Sequence, residues 1–218
     1  NATILAYKKA NKKINIKKNI NNVIYVSENA KTDISLYDII LSVDGKDINN
    51  IKELQDYIKT KNEGDIVYFK VISNKKEVDR KAEVININGE LKVGIAFLTT
   101  YEYETDPSIT VKTKSSESGS SGGLMLSLAI YNAITKEDIT KGKTIVGTGT
   151  IDILGNVGKI DGVKYKILGA VKNKADLFIC PKDNYDEAMK VKKEHNLNIN
   201  IISVETFDEA INYLENNL

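Results

Sequence analysis

The chain has 218 residues, 41% hydrophobic and 28% charged, the balance of a soluble globular protein with enough length for one large domain or two small ones. Its 31 basic and 30 acidic residues leave a formal net charge of +1, so nothing pulls it globally towards nucleic acid and no nucleic-acid partner is expected. A single cysteine excludes a disulfide framework or a thiolate zinc cluster, and no run of 18 or more apolar residues is present to span a bilayer as a helix.

From the N-terminus, ATILAY and KINIK read as short alternating strands around a polar Lys/Asn turn, and the basic run AYKKANKKINIKKN reads as a solvated face. NNVIYVSE is a further strand. YDIILSVDGKDI follows as a strand with an Asp44-Gly45 turn, a hairpin signal. NIKELQDYIKTK is an amphipathic helix with Ile51, Leu54 and Ile58 on one face and Asn50 and Glu53 at capping-box spacing. GDIVYFKVISNKKEVDRKAEVIN is a hairpin turned at Asn74-Lys75-Lys76, and INGELKVGI leads from it into the second half.

There the rhythm changes. VGIAFLTT and SITVKTK read as strands, and a serine- and glycine-rich stretch runs into an apolar helix ending near Ile134. TIVGTGTIDILGNVGKI reads as two strands around Leu154-Gly155-Asn156. A helix covers about 162 to 174, ADLFICP is a buried strand carrying an inert Cys180, and a polar helix spans about 184 to 195. INIISV is a strand and TFDEAINYLENN a closing helix, with Thr206 and Glu209 again at capping-box spacing. Strands alternating with helices predict an α/β or α+β domain.

The helix from Leu124 to Ile134 is apolar on nearly every side, which predicts burial. Its N-terminus offers backbone N–H groups and the positive end of the helix dipole, so a serine there could attack a carbonyl while those groups stabilise the oxyanion. The same residues also fit a plain serine N-cap beside flexible glycines. A phosphate loop fits less well, because no Gly-Lys-Ser/Thr ending is present. The one histidine, His195, sits at a polar helix end, which leaves a neutral lysine as the base. In DGVKYKILGAVKNK the buried face is Val163, Ile167, Ala170 and Val171, with Lys166 bordering it on one side and Lys164 on the other. Periodicity does not choose between them.

SGSSGGLM, GTGTIDILGNVGKIDGVKYKILGA and ADLFICPKDN, in that order, resemble the proteolytic domain of Lon-type serine peptidases over about residues 92 to 218. Those enzymes use a serine–lysine dyad with a Gly-Pro-Ser-Ala-Gly motif, a Thr-Gly-Glu-Ile-type strand and a Gly-Gly-Leu-Lys-Glu-Lys-type helix start. The resemblance puts the nucleophile on Ser121, the base on Lys166 and an orienter of lysine or substrate on Thr148, with Gly119 and Ser120 as supporting residues. This chain departs from the pattern at Ser120 (proline in the motif), Gly122 (alanine), Thr150 (glutamate) and Asp161-Gly162 (a glycine pair). Ser118 stands where many of those enzymes carry aspartate. These departures bear on loop geometry and rate and leave the dyad intact.

SLYDIILSVDGKDINNIKELQDYIKTKNEGDIVYFKVI resembles a PDZ domain, a module that binds extended peptides or C-termini by adding a strand to a sheet edge, and puts NNVIYVSE near that edge. Together the resemblances imply an α+β chain, a PDZ-like β-sandwich or barrel domain followed by a Lon-type α/β proteolytic domain. The expected divisions are N-terminal strands at 1–21, attached to either unit, a PDZ-like domain at 22–88 and a proteolytic domain at 89–218. The pairing is similar to bacterial cell-surface PDZ–Lon proteases. By that likeness the chain is an ATP-independent serine endopeptidase acting on protein or peptide substrates, and an inactive peptide-binding scaffold is the alternative. A membrane anchor is expected ahead of Asn1, and a homo-oligomer is compatible with the likeness. Neither a nucleotide motif nor a metal cluster is seen, so no cofactor and no metal ligands are expected.

Overall fold

The computed structural model describes residues 1–112 and 119–218. The chain divides into one unit of Ile16–Tyr103 and another assembled from Asn1–Asn15 and Glu104–Leu218.

The first unit is built on a sheet of strands β1 (Lys13–Val26), β2 (Ile39–Val43), β3 (Lys46–Asp47), β4 (Ile66–Ser73), β5 (Lys76–Glu83) and β8 (Ile95–Asp106). Their order is β5-β4-β2-β1-β8, with β3 on β2. Alternation along β4 points Val67, Phe69 and Val71 into the core, and the Asn74-Lys75 turn has φ of 50° and 65°, the handedness that matches strand twist. Helix α2 (Ile51–Ile58) closes that core with Leu54 and Ile58. Its start is fixed as the spacing predicts: the Asn50 side chain accepts from the Glu53 N–H at 3.0 Å, while the Glu53 carboxylate accepts from the Asn49 N–H at 2.8 Å.

Three expectations change here. ATILAY is not a strand but helix α1 (Ala2–Lys9), which belongs to the second unit. Ala2 through Tyr7 are all buried, and a run buried on every side shows no alternation to distinguish strand from helix. Residues 1–21 therefore do not form a layer of short strands, since β1 is one strand of 14 residues from Lys13. INGELKVGI is not a plain connector: β6 (Ile85–Ile87) and β7 (Glu90–Lys92) pair around Asn88-Gly89, whose φ values are 55° and 85°. VGIAFLTT, expected to open the second half, forms most of β8, so the first unit runs to Tyr103 and not to residue 88. The pairing of β8 with β1 is the physical reason.

The second unit centres on β12 (Leu177–Pro181), parallel to β9 (Ile145–Gly147) on one side and β13 (Asn200–Val204) on the other. All five residues of β12 are buried, as expected of a parallel strand covered on both faces. Leu177 and Ile179 pack with α1, α3 (Gly123–Ile134) and α6 (Phe207–Asn217). Phe178 and Cys180 pack with α4 (Val163–Lys172) and α5 (Tyr185–Glu194). The predicted pair of strands in TIVGTGTIDILGNVGKI is three. β9 joins the parallel sheet, while β10 (Thr150–Ile151) and β11 (Val157–Gly158) form a separate hairpin. Residues 108–112 of the expected strand SITVKTK are not in a strand; Thr113, Lys114 and Ser118 lie outside the described residues. Among the described residues no helix is long and apolar enough to cross a membrane.

Candidate active site

Ser121 sits in a single 3-10 turn, Ser120–Gly122, that runs straight into α3. The turn is tied to the segment between β9 and β10. The Ser121 carbonyl accepts from the Gly149 N–H at 2.8 Å and from the Thr148 hydroxyl at 3.0 Å, and the Leu124 N–H donates to the Gly149 carbonyl at 3.0 Å. Thr148 in turn donates its N–H to the Ile179 carbonyl at 2.9 Å, so the central strand β12 holds the serine through one buried threonine. Glycine makes this approach feasible. A Cβ on Gly147 would fall 2.6 Å from the Ile179 carbonyl oxygen, and one on Gly123 would fall 2.8 Å from Ile151 Cγ2.

Helix α4 supplies the second group. It starts after Gly162, which is left-handed at φ 72°, and it buries Val163, Ile167 and Ala170. Lys166 is half-buried at the margin of that face, whereas Lys164 is exposed. The Lys166 Nζ donates to the Ser121 Oγ at 3.1 Å. Geometry thus distinguishes two lysines that periodicity left equivalent. With a neutral amine the same pair can run in reverse, the hydroxyl donating to the nitrogen lone pair.

The remaining candidates fall around this pair. Gly119 and Ser120 are exposed, and their carbonyls accept from the N–H groups of Gly122 and Gly123. With Leu124 also engaged, the helix start offers fewer free donors than the dipole argument assumed, and the N–H groups of Ser120 and Ser121 have no acceptor among the described residues. Thr148 bonds the serine backbone; no hydrogen bond to Lys166 is made. His195 is exposed at the end of α5 and bonds neither residue. Cys180 is fully buried, and burial pushes its thiol up to about 11, so it is no rival nucleophile. Among the described residues no three His, Cys, Asp or Glu side chains are grouped to hold a metal. The tie from Gly149 to Ser121 escaped the sequence reading, although the Gly-Thr-Gly triplet flanking Thr148 is its signal.

In the first unit, NNVIYVSE lies near the expected binding edge: it ends β1, the neighbour of β8, and its Tyr25 and Ser27 line the groove there. The outermost strand is β8, and a groove of about 710 Å³ runs between its start and α2, lined by Leu54, Ile58, Val93 and Ile95.

Comparison with protein-family models matches residues 9–84 to a PDZ domain and residues 111–216 to the Lon protease (S16) C-terminal proteolytic domain. The Lon protease of Campylobacter jejuni is 31% identical over 96 residues, covering 44% of this chain and 12% of that protein. The archaeal Lon protease of Archaeoglobus fulgidus is 27% identical over 150 residues, covering 64% of this chain and 21% of that protein. This chain therefore spans only a minor part of the length of either relative. Among solved structures, the PDZ domain of an SdrC-like protein from Listeria monocytogenes is similar at 22% identity and a TM-score of 0.33, covering 36% of this chain and 86% of that one.

Proposed function

We propose, for a chain that carries a PDZ domain followed by a Lon C-terminal proteolytic domain, that it is an ATP-independent serine endopeptidase with Ser121 as nucleophile and Lys166 as base. The observation that carries this reading is the 3.1 Å contact between Nζ and Oγ. Neutral Lys166 accepts the hydroxyl proton as Oγ bonds to the peptide carbonyl carbon, and the Ser121 N–H faces the developing oxyanion. The resulting ammonium returns the proton to the leaving amine as the C–N bond breaks, leaving an acyl ester on Ser121. Water then attacks that ester, Lys166 takes the water proton and passes it to the Ser121 Oγ as the C–O bond breaks, and the carboxylic product departs. Serine, lysine and water supply every step of a hydrolysis that is itself downhill, so nucleotide energy is not needed for the chemistry. The PDZ unit docks protein or peptide substrates, adding binding remote from the reacting bond.

Turnover of a fluorogenic peptide tests the assignment. Ser121→Ala should abolish both turnover and covalent labelling by a fluorophosphonate probe, while Ser120→Ala leaves both. Lys166→Arg should lower kcat by at least ~10²-fold, since arginine keeps its proton, and Lys164→Arg should leave it unchanged. Adding ATP should change nothing. If Lys164→Arg silences the enzyme and Lys166→Arg spares it, the wrong lysine has been chosen. Parent protein that takes up no label would instead favour the inactive peptide-binding scaffold.

A further inference from the structure

We infer that Asn184 is a positioning residue for the reaction: its buried amide grips the backbone of Ile160 and thereby sets where α4 carries Lys166 in relation to Ser121. The inference rests on the serine–lysine reading above and adds to it a residue that bonds neither partner.

Helix α4 needs such a hold. Its start at Gly162 makes no side-chain cap, whereas α2 and α6 begin on the bonded side chains of Asn50 and Thr206. Val163 and Ile167 are fully buried, which fixes the face that α4 turns to the core. Apolar contact is non-directional, so it leaves the position along the helix axis less well determined. Along that axis one residue is ~1.5 Å, and the 3.1 Å bond from Nζ to Oγ has only a few tenths of an ångström to spare.

Asn184 supplies the missing restraint. It ends the 3-10 turn Lys182–Asn184 that follows β12, and it is completely buried. It also stands at the N-cap of α5, where an asparagine ordinarily bonds the N–H groups of its own helix, yet it makes no such bond. Its amide is turned to Ile160 instead. The Oδ1 accepts from the Ile160 N–H at 2.9 Å, and the Nδ2 donates to the Ile160 carbonyl at 2.9 Å. Two bonds from one planar amide fix orientation as well as distance. Ile160 shares a core cluster with Val163 and Ile167, and only Asp161 and Gly162 separate it from α4.

Strand β12 then governs both halves of the pair. Its Ile179 carbonyl holds Thr148, which holds the Ser121 carbonyl. Its C-terminal end leads through the 3-10 turn to Asn184, and so to Ile160 and α4. Serine and lysine are referred to one buried strand by two separate paths.

The test reads the rate of Ser121 labelling by a fluorophosphonate probe, together with kcat and KM for the fluorogenic peptide, on the 218-residue chain. Asn184→Leu removes both bonds and leaves a buried N–H and carbonyl without partners. Labelling and kcat should fall at least about tenfold with KM unchanged. In a Lys166→Ala background, which labels slowly by itself, the same substitution should change the labelling rate by less than about twofold, because the lysine it positions is gone. A merely structural residue would give the same factor in both backgrounds. Val191→Ala, a cavity in the same core cluster, should lower Tm and leave the labelling rate unchanged. Asn184→Asp keeps the acceptor and loses the donor; it should show the same dependence on Lys166 and serves if the leucine variant melts below the assay temperature. Equal losses in the two backgrounds, or parental labelling by a folded Asn184→Leu, would overturn the inference while leaving the dyad intact. Parental labelling of Lys166→Ala alone would remove the dyad, and the inference with it.

Discussion

Replacing Thr148 by valine removes one hydroxyl from a fully buried side chain and keeps its shape. The lost contact is a neutral hydrogen bond of 3.0 Å to the Ser121 carbonyl, of a kind that contributes ~0.5–1.5 kcal/mol net. That carbonyl retains the Gly149 N–H at 2.8 Å, which puts the stability cost at the low end and the fall in Tm at about 1–2 °C. The catalytic cost should be larger, because the bond fixes the residue whose Oγ must meet both Lys166 and the substrate carbon. A displacement approaching 1 Å at reacting atoms costs up to ~10²-fold, so kcat should fall about ten- to a hundredfold with KM unchanged. Thr148→Ser reverses the pattern. It keeps the hydroxyl and hence most of kcat, but deletes a buried methyl at a cost of about 0.5–1.5 kcal/mol. The assay is initial rate against peptide concentration, with a thermal melt of each variant. A valine variant within twofold of parental kcat would refute the claim that this bond positions the serine.

Two further outcomes follow from groups held away from their usual pKa. With its thiol pushed up to about 11 by burial, Cys180 should be ~0.1% thiolate at pH 8 and react with a disulfide reagent only as fast as the chain unfolds. Prompt stoichiometric reaction of the native protein would contradict this. The Asp138 carboxyl is held down to about 2, first by the Thr140 hydroxyl and then by the Thr140 N–H, the Asn132 amide and the Gly142 N–H. Its folded value lies below the ordinary 3.8, so the stabilisation is fully present above that value and is lost as pH falls through about 2. The Tm advantage of the parent over Asp138→Asn should therefore be constant above about pH 4 and vanish in that acid window. A constant difference down to pH 2 would exclude the linkage.

Local chemistry was legible in the sequence wherever one face of an element meets solvent. The alternation of IVYFKV, the heptad spacing of Ile51 and Ile58, and the caps at Asn50 and Thr206 all translate directly into elements with bonded ends. ATILAY was illegible for the opposite reason, since burial on all sides erases period. Asn88-Gly89 was legible but overlooked. The flanking strands are three residues each, too short to show alternation, although the dipeptide alone signals a hairpin. For the site, residue type led only to a serine at the helix start and one of two lysines, and the resemblance to Lon-type peptidases put the roles on Ser121, Lys166 and Thr148. What sequence could not supply was direction in space: that Thr148 reaches the serine carbonyl, or that Lys166 and not its neighbour two residues away turns inwards.

The glycines about the serine turn divide into those that have room and those that do not. Gly123 and Gly147 are walled in by Ile151, Met125 and the Ile179 carbonyl, while Gly122 has nothing within 4 Å of where a Cβ would stand and a φ of −89°. Sequence drift around this centre is therefore channelled. An exchange at 123 or 147 must move the core or fail, whereas alanine at 122 meets no obstacle and narrows the unfolded ensemble, a gain of about 0.4–1 kcal/mol. Gly122 is the one place in the turn where evolution, or a protein engineer, can trade suppleness for stiffness without rebuilding what lies beneath.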